Sequence, residues 1–201
     1  MNPLVLLAKS TVESFILEGK IISSAEDLPN GFLKRKAGTF VTIEKMVRRT
    51  HHKDGELRGL PRTELRGCIG TYLATRKNIA EEVIYNAIAA ATEDYRFGPL
   101  KKEELPELSY TVYILSEPEL VKDIKELDPK KYGIIVKTAP LSPSGDVVFN
   151  GHFVAKTGLL LPDLEGVDTI EKQIFIACRK GGINPQKEKI LIYKFTVEKY
   201  Q

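Results

Sequence analysis

The residues with the most chemical potential in this 201-residue chain lie in one hexapeptide, Leu65-Arg66-Gly67-Cys68-Ile69-Gly70. Read as a strand, its side chains alternate. Leu65, Gly67 and Ile69 then face one way, and Arg66, Cys68 and Gly70 the other. The apolar pair Leu65 and Ile69 is expected on the core side. That leaves a thiol beside a guanidinium, with Gly70 giving open space next to them. Same-face neighbours on a strand lie roughly 7 Å apart. A fixed positive charge at that range favours thiolate and is expected to lower the cysteine from its ordinary value of about 8.5. One reading makes Cys68 a nucleophile or ligand-binding thiol, with Arg66 and the nearby glycine amides of Gly67 and Gly70 holding an oxyanion or carboxylate. The other makes it a small hydrophobe at a crowded strand crossing, where glycines permit close backbone approach. A bulge at the glycine would reverse the face that Cys68 occupies.

A nucleophilic thiol normally works with a base. His51 and His52 sit side by side in a basic loop and His152 follows Asn150-Gly151 at a turn, so each reads more simply as surface. Asp94 and Arg96, in Glu93-Asp94-Tyr95-Arg96-Phe97, either tie the chain to a neighbour or line the same hollow as Arg66, with Asp94 orienting Arg66. Cys68, Cys178 and three scattered histidines match no zinc spacing, so no metal site is expected. Cys178 falls on the buried stripe of a helix. Gly67 to Gly70 lacks the Lys-Ser/Thr partner of a phosphate loop. It also reads as strand, unlike the helix-joining GxxG loop that clamps RNA.

These residues need elements to hold them. Leu4, Leu7, Ala8, Val12, Phe15 and Ile16 form one helical stripe, closed by Gly19. Thr39 to Ile43 alternates as a half-buried strand, and the polar stretch Arg48 to Arg62, with Asp54-Gly55, reads as a long hairpin or exposed connection. Leu65 to Tyr72 is the next strand. Asn78 and Glu81 resemble a capping box ahead of a helix carrying Ile79, Val83, Ile84, Ala87, Ile88 and Ala91. Pro99 and Pro106 bracket a charged connection, and Ser109 to Ser116 alternates as a strand. Gly133 to Val136 and Asp146 to Phe149 read as short strands, and Gly158 to Pro162 as a short buried run. Asp168 and Glu171 form a second capping-box pattern before a helix with Ile170, Ile174, Ala177 and Cys178 inward, ended by Gly181 and Gly182. Ile190 to Val197 is a final strand. Strands mixed irregularly with three helices predict an α+β protein with mainly antiparallel pairing.

Composition narrows the function. Apolar residues are 42% and charged residues 28%, a globular balance. No apolar run exceeds that of Leu4 to Ala8, which is far below the roughly 18 residues of a membrane span and lacks the flanks of a signal peptide. Two cysteines are too few for a disulfide scaffold and fit a reducing cytoplasm. Net charge is +3, but Lys34 to Arg66 holds ten basic and four acidic residues, a local +6. Such a region attracts an anionic ligand, a phosphate chain or an acidic surface. No aromatic residue interleaves with the basic ones from Lys45 to Arg66, so no base-stacking platform is indicated.

The hexapeptide is identical to the LRGCIG signature of the AMMECR family. Gly38 to Ile43 is similar to that family's upstream strand, and Asp94-Tyr95-Arg96-Phe97 resembles its D-P-R-F element, with Tyr95 where proline is usual. Gly133 to Val136, Gly158 to Pro162 and the helix holding Cys178 follow in the family's order, so the resemblance spans residues 1–201 as a single domain. It implies an α+β fold in two unequal subdomains built on mainly antiparallel sheets flanked by helices, with the signature towards a cleft between them. It supplies no cofactor and no catalytic residues. It does imply a shared pathway with a Memo-like protein and a radical-SAM protein. Three readings follow: a cytoplasmic protein whose cleft around Arg66 and Cys68 binds a small anionic ligand, with thiol chemistry at Cys68 in its boldest form; a non-enzymatic module that docks such a partner; and nucleic-acid binding through residues 34–66.

Overall fold

The computed structural model of the chain describes residues 1–23, 28–47, 62–139 and 155–201. Of the polar stretch Arg48 to Arg62 only Arg62 is described, and the strand expected at Asp146 to Phe149 and all three histidines lie outside the described residues. The chain divides into two compact units, one formed by Met1–Leu115 with Glu198–Gln201 and the other by Ser116–Val197.

The first unit carries a four-stranded sheet in the order β2-β1-β3-β8, from β1 (Thr39–Val47), β2 (Arg62–Gly70), β3 (Leu108–Leu115) and β8 (Val197–Tyr200). β1 pairs antiparallel with both β2 and β3. Helices α1 (Pro3–Glu18), α2 (Asn30–Lys34) and α3 (Ile79–Thr92) belong to this unit. α1 starts where the Asn2 side chain accepts from the Leu4 amide and Pro3 needs no partner for its nitrogen, and it stops at Gly19 in the left-handed region. Leu4, Ala8 and Val12 of α1, Ile79, Val83 and Ala87 of α3, and Val41, Ile43, Val112 and Ile114 of the strands form one fully buried core. The expected stripes are therefore the packed faces. The ladder makes the shared face explicit, because Val41 opposes Val112 and Ile43 opposes Tyr110.

The second unit carries a sheet in the order β4-β7-β5-β6, from β4 (Glu119–Leu120), β5 (Gly133–Thr138), β6 (Thr157–Leu160) and β7 (Ile190–Phe195). Its described ladders are antiparallel. α4 (Ile170–Lys180) packs Ala177 and Cys178 into a core with Ile134, Val136 and Leu160. Two sequence expectations are corrected here. The α4 cap is Thr169, whose hydroxyl accepts from the Lys172 amide, and not Asp168. The run from Ile190 to Val197 is not one strand: it breaks at Thr196, whose amide is taken by Ser116 Oγ, and the chain passes from β7 in one sheet to β8 in the other. The fold is thus α+β with two antiparallel sheets, as composition and periodicity indicated.

Candidate functional site

The signature occupies the edge strand of the first sheet, and its alternation is interrupted. Val41 faces Ile69, Thr42 faces Cys68 and Ile43 faces Gly67, but Glu44 faces Leu65. Arg66 is therefore the extra residue of a β-bulge, and the bulge reassigns everything on its N-terminal side. Ile69 and Gly67 keep the core face with Val41 and Ile43, whereas Leu65 shares the face of Glu44 and is 40% exposed. The expectation that Leu65 would be buried with Ile69 fails for this reason.

The bulge also sends Arg66 elsewhere. Its Nε and Nη2 donate to the two oxygens of Glu104 at 2.8 and 2.9 Å, and Nη1 and Nη2 donate to the carbonyls of Gly98 and Pro99 at 3.0 and 3.1 Å. The pair is well buried, with side chains 14% and 16% exposed, and Lys45 Nζ lies 3.7 Å from the same carboxylate. The Arg66 fork holds the Glu104 carboxyl down at about 2. Arg66 is thus a neutralised strut and not the cation of an open hollow. Asp94 does not orient it.

Asp94 acts on the thiol's own residue. Its Oδ2 accepts from the Cys68 amide at 2.9 Å, satisfying a backbone donor on the outer edge of β2. The same carboxylate takes Nε and Nη2 of Arg96 at 2.9 and 2.7 Å. That hydrogen bond to Arg96 is the main reason Asp94 sits below the usual carboxylate range, with the Cys68 amide reinforcing it. Arg96 is raised in turn, first by Asp94 and also by the charge of Cys68. Among the described residues, Arg96 is thus a cation electrically coupled to the thiol. Its side chain is 43% exposed, its Nη1 has no hydrogen-bond partner among the described residues, and its guanidinium carbon lies 5.1 Å from the centre of the Phe97 ring. Thr42 Oγ1 donates to Cys68 Sγ at 3.2 Å from the facing position on β1.

The two glycines serve packing. A Cβ on Gly67 would overlap the Ala90 carbonyl of α3, and one on Gly70 would overlap the Phe40 ring and the Thr39 carbonyl. Gly70 consequently leaves no open space beside Cys68, contrary to expectation. Beyond Gly70 the chain is fixed by Glu82 of α3, buried to 1% exposure. Its carboxylate accepts from Thr71 Oγ1, from the Thr75 amide and hydroxyl, and from the Arg76 amide at 2.6 to 2.8 Å. Thr42, Glu82 and Glu104 escaped the sequence reading. Glu104 does lie in the charged connection between Pro99 and Pro106, but nothing local to either residue shows that it meets Arg66.

Cys178 is buried where Cys68 is half-buried. It is 2% exposed and burial pushes its thiol up. Iodoacetamide is expected to alkylate half-buried Cys68 on the order of a hundredfold faster than Cys178, as read by peptide mass spectrometry. Equal rates would show that Cys68 lacks access. Among the described residues no cluster of His, Cys, Asp and Glu could hold a metal ion, and no helix is long and apolar enough to cross a membrane.

An edge strand whose bulged arginine is locked inward, and whose cysteine is flanked by an Asp–Arg pair, defines an α+β protein of the LRGCIG-signature class. Residues 5–200 match the AMMECR1 family model, and the chain belongs to the AMMECR1 family. It is 44% identical over 200 residues to a protein of Thermotoga maritima, covering 100% of this chain and 98% of that one. It is 36% identical to a protein of Clostridium acetobutylicum, covering 99% of this chain but 35% of that longer one. An uncharacterized protein of Pyrococcus horikoshii, solved by crystallography, superposes with a TM-score of 0.73 at 29% identity, covering 98% of this chain and 88% of that one.

Proposed function

We propose that the protein binds a small oxyanion-bearing molecule at the surface formed by Cys68, Thr42 and Arg96. The observation that carries this reading is the division of labour between two arginines. Arg66 spends its donors on Glu104 and two carbonyls, whereas Arg96 is held rigidly along one edge by Asp94 and keeps Nη1 and an exposed face beside the thiol. A fork fixed in this way loses little freedom when it takes a carboxylate or phosphate oxygen. The thiol then lies beside the bound group, a placement suited to thiol chemistry on the ligand.

Titration with inorganic phosphate, followed at the Cys68 and Arg96 amide resonances, tests this. Saturable shifts are expected in the wild type, weakened about tenfold in Arg96→Lys, which keeps the charge but loses the fork. Identical titrations of the two proteins would end the reading. A second reading, docking of a partner protein of the Memo-like type, is favoured by Tyr95, which is 94% exposed between Asp94 and Arg96, with Phe97 37% exposed beside it. Under that reading Tyr95→Ala loses capture of the purified partner. Under the first it leaves the phosphate titration unchanged.

A further inference from the structure

Strand register fixes what surrounds Cys68 on its own face of the first sheet. Val41 and Ile43 enter the core that α1 and α3 fill, so Phe40 and Thr42 point to the opposite face. Two rows cross the strands there. One is polar, with Cys68 opposite Thr42 and Thr42 opposite Thr111. The other is aromatic, with Gly70 opposite Phe40 and Phe40 opposite Tyr113. The rows lie roughly 7 Å apart. Phe40 covers the bare glycine, since a Cβ on Gly70 would overlap its side chain. Phe40 and Tyr113 are half-buried, and neither belongs to the hydrophobic core of the unit. Two cross-strand aromatic side chains kept outside the core and part-exposed offer a surface on which another flat group can pack.

We infer that the molecule held at Cys68, Thr42 and Arg96 carries a planar ring close to its oxyanion, and that this ring packs on Phe40 and Tyr113. The inference rests on the oxyanion reading and narrows it to aryl phosphates, aryl carboxylates and their heterocyclic counterparts. Three observations select that class. The step from the polar row to the aromatic one is a single row, so the ring is joined to the oxyanion directly or through one or two atoms. The row on the other flank holds Glu44, facing Leu65 and Ser109, and a ring laid there would strip water from a carboxylate. The body of the ligand therefore extends towards Phe40. Beyond it, the exposed Lys199 places Nζ 6.0 Å from the centre of the Tyr113 ring, so the far end of the aromatic row is bordered by positive charge, which suits an anionic ligand.

Amide-resonance titrations of the full chain with phenyl phosphate and with methyl phosphate, its ringless counterpart, test the inference. Phenyl phosphate is expected to bind about tenfold more tightly, as burial of one ring face allows, and to shift Phe40 and Tyr113 saturably. Phe40→Leu and Tyr113→Leu each keep an apolar side chain but remove a ring, and each should bring the ratio of the two affinities down to about threefold or less. Arg96→Lys should weaken both esters together and so preserve the ratio. Equal binding of the two esters to the wild type, with inorganic phosphate still shifting Cys68 and Arg96, would overturn the ring and leave the oxyanion site standing. An unchanged ratio in the folded ring variants would overturn it as well. No saturable shift with either ester or with phosphate would remove the oxyanion site and this inference together.

Discussion

Gly67→Ala is expected to destabilise the protein by about 3 kcal/mol or more, the upper end of the range for overpacking a close contact. For a chain of this length that corresponds to a fall in thermal midpoint of about 6–12 °C. The added methyl would sit inside the contact distance of the Ala90 carbonyl, and neither partner is a side chain that can turn away. Relief requires α3 to lift off β2, which breaks the packing of Val83, Ala87 and Ile88 over the sheet. Gly98→Ala is the matched control. Gly98 has φ +70° and no atom within 4 Å of its virtual Cβ, so the cost there is backbone strain alone, about 1 kcal/mol. Calorimetry that finds the two variants equally stable would show that α3 does not clamp β2 through this glycine.

Glu104→Gln carries the second large effect and a pH signature. Removing one partner of a buried ion pair costs about 3–5 kcal/mol. The residual exposure of both side chains brings the expectation to about 2–3 kcal/mol at neutral pH. The folded-state carboxyl sits at about 2 against 4.5 for a free glutamate. A depressed acid stabilises the fold above its unfolded value, so the contribution is complete above pH 4.5 and is lost as pH falls through about 2. Urea melts of wild type and variant should therefore diverge at neutral pH and converge as the acid limit is approached. A gap that stays constant with pH would mean the glutamine loses packing and not charge.

These two residues also mark where sequence legibility ended. Hydrophobic period located α1, α3, β1, β3 and β5, because each buries one regular face against a neighbour. Period failed at Arg66, since a bulge is imposed by what the arginine must reach, and Glu104 lies 38 residues along the chain. It failed again at Thr196, where an unbroken apolar alternation hides a transfer between sheets. At the site, sequence singled out Cys68, Asp94 and Arg96, which hydrogen bonds to Asp94 join, but it did not show that Arg66 turns to Glu104. Same-face adjacency within a strand pointed to Arg66. A tight turn after α3, with the Phe97 and Gly98 amides returning to the Asp94 carbonyl, delivers Arg96.

The strand that completes the first sheet has a consequence for synthesis. β8 is made only after residues 116–196 have emerged, yet it flanks β3, while Arg35 grips Glu198 and Phe32 meets the Tyr200 ring edge-on. A growing chain on the ribosome therefore carries β3 as a bare hydrogen-bonding border while the inserted unit is translated. A polypeptide released early would keep that border uncovered, open to pairing with a strand of another molecule.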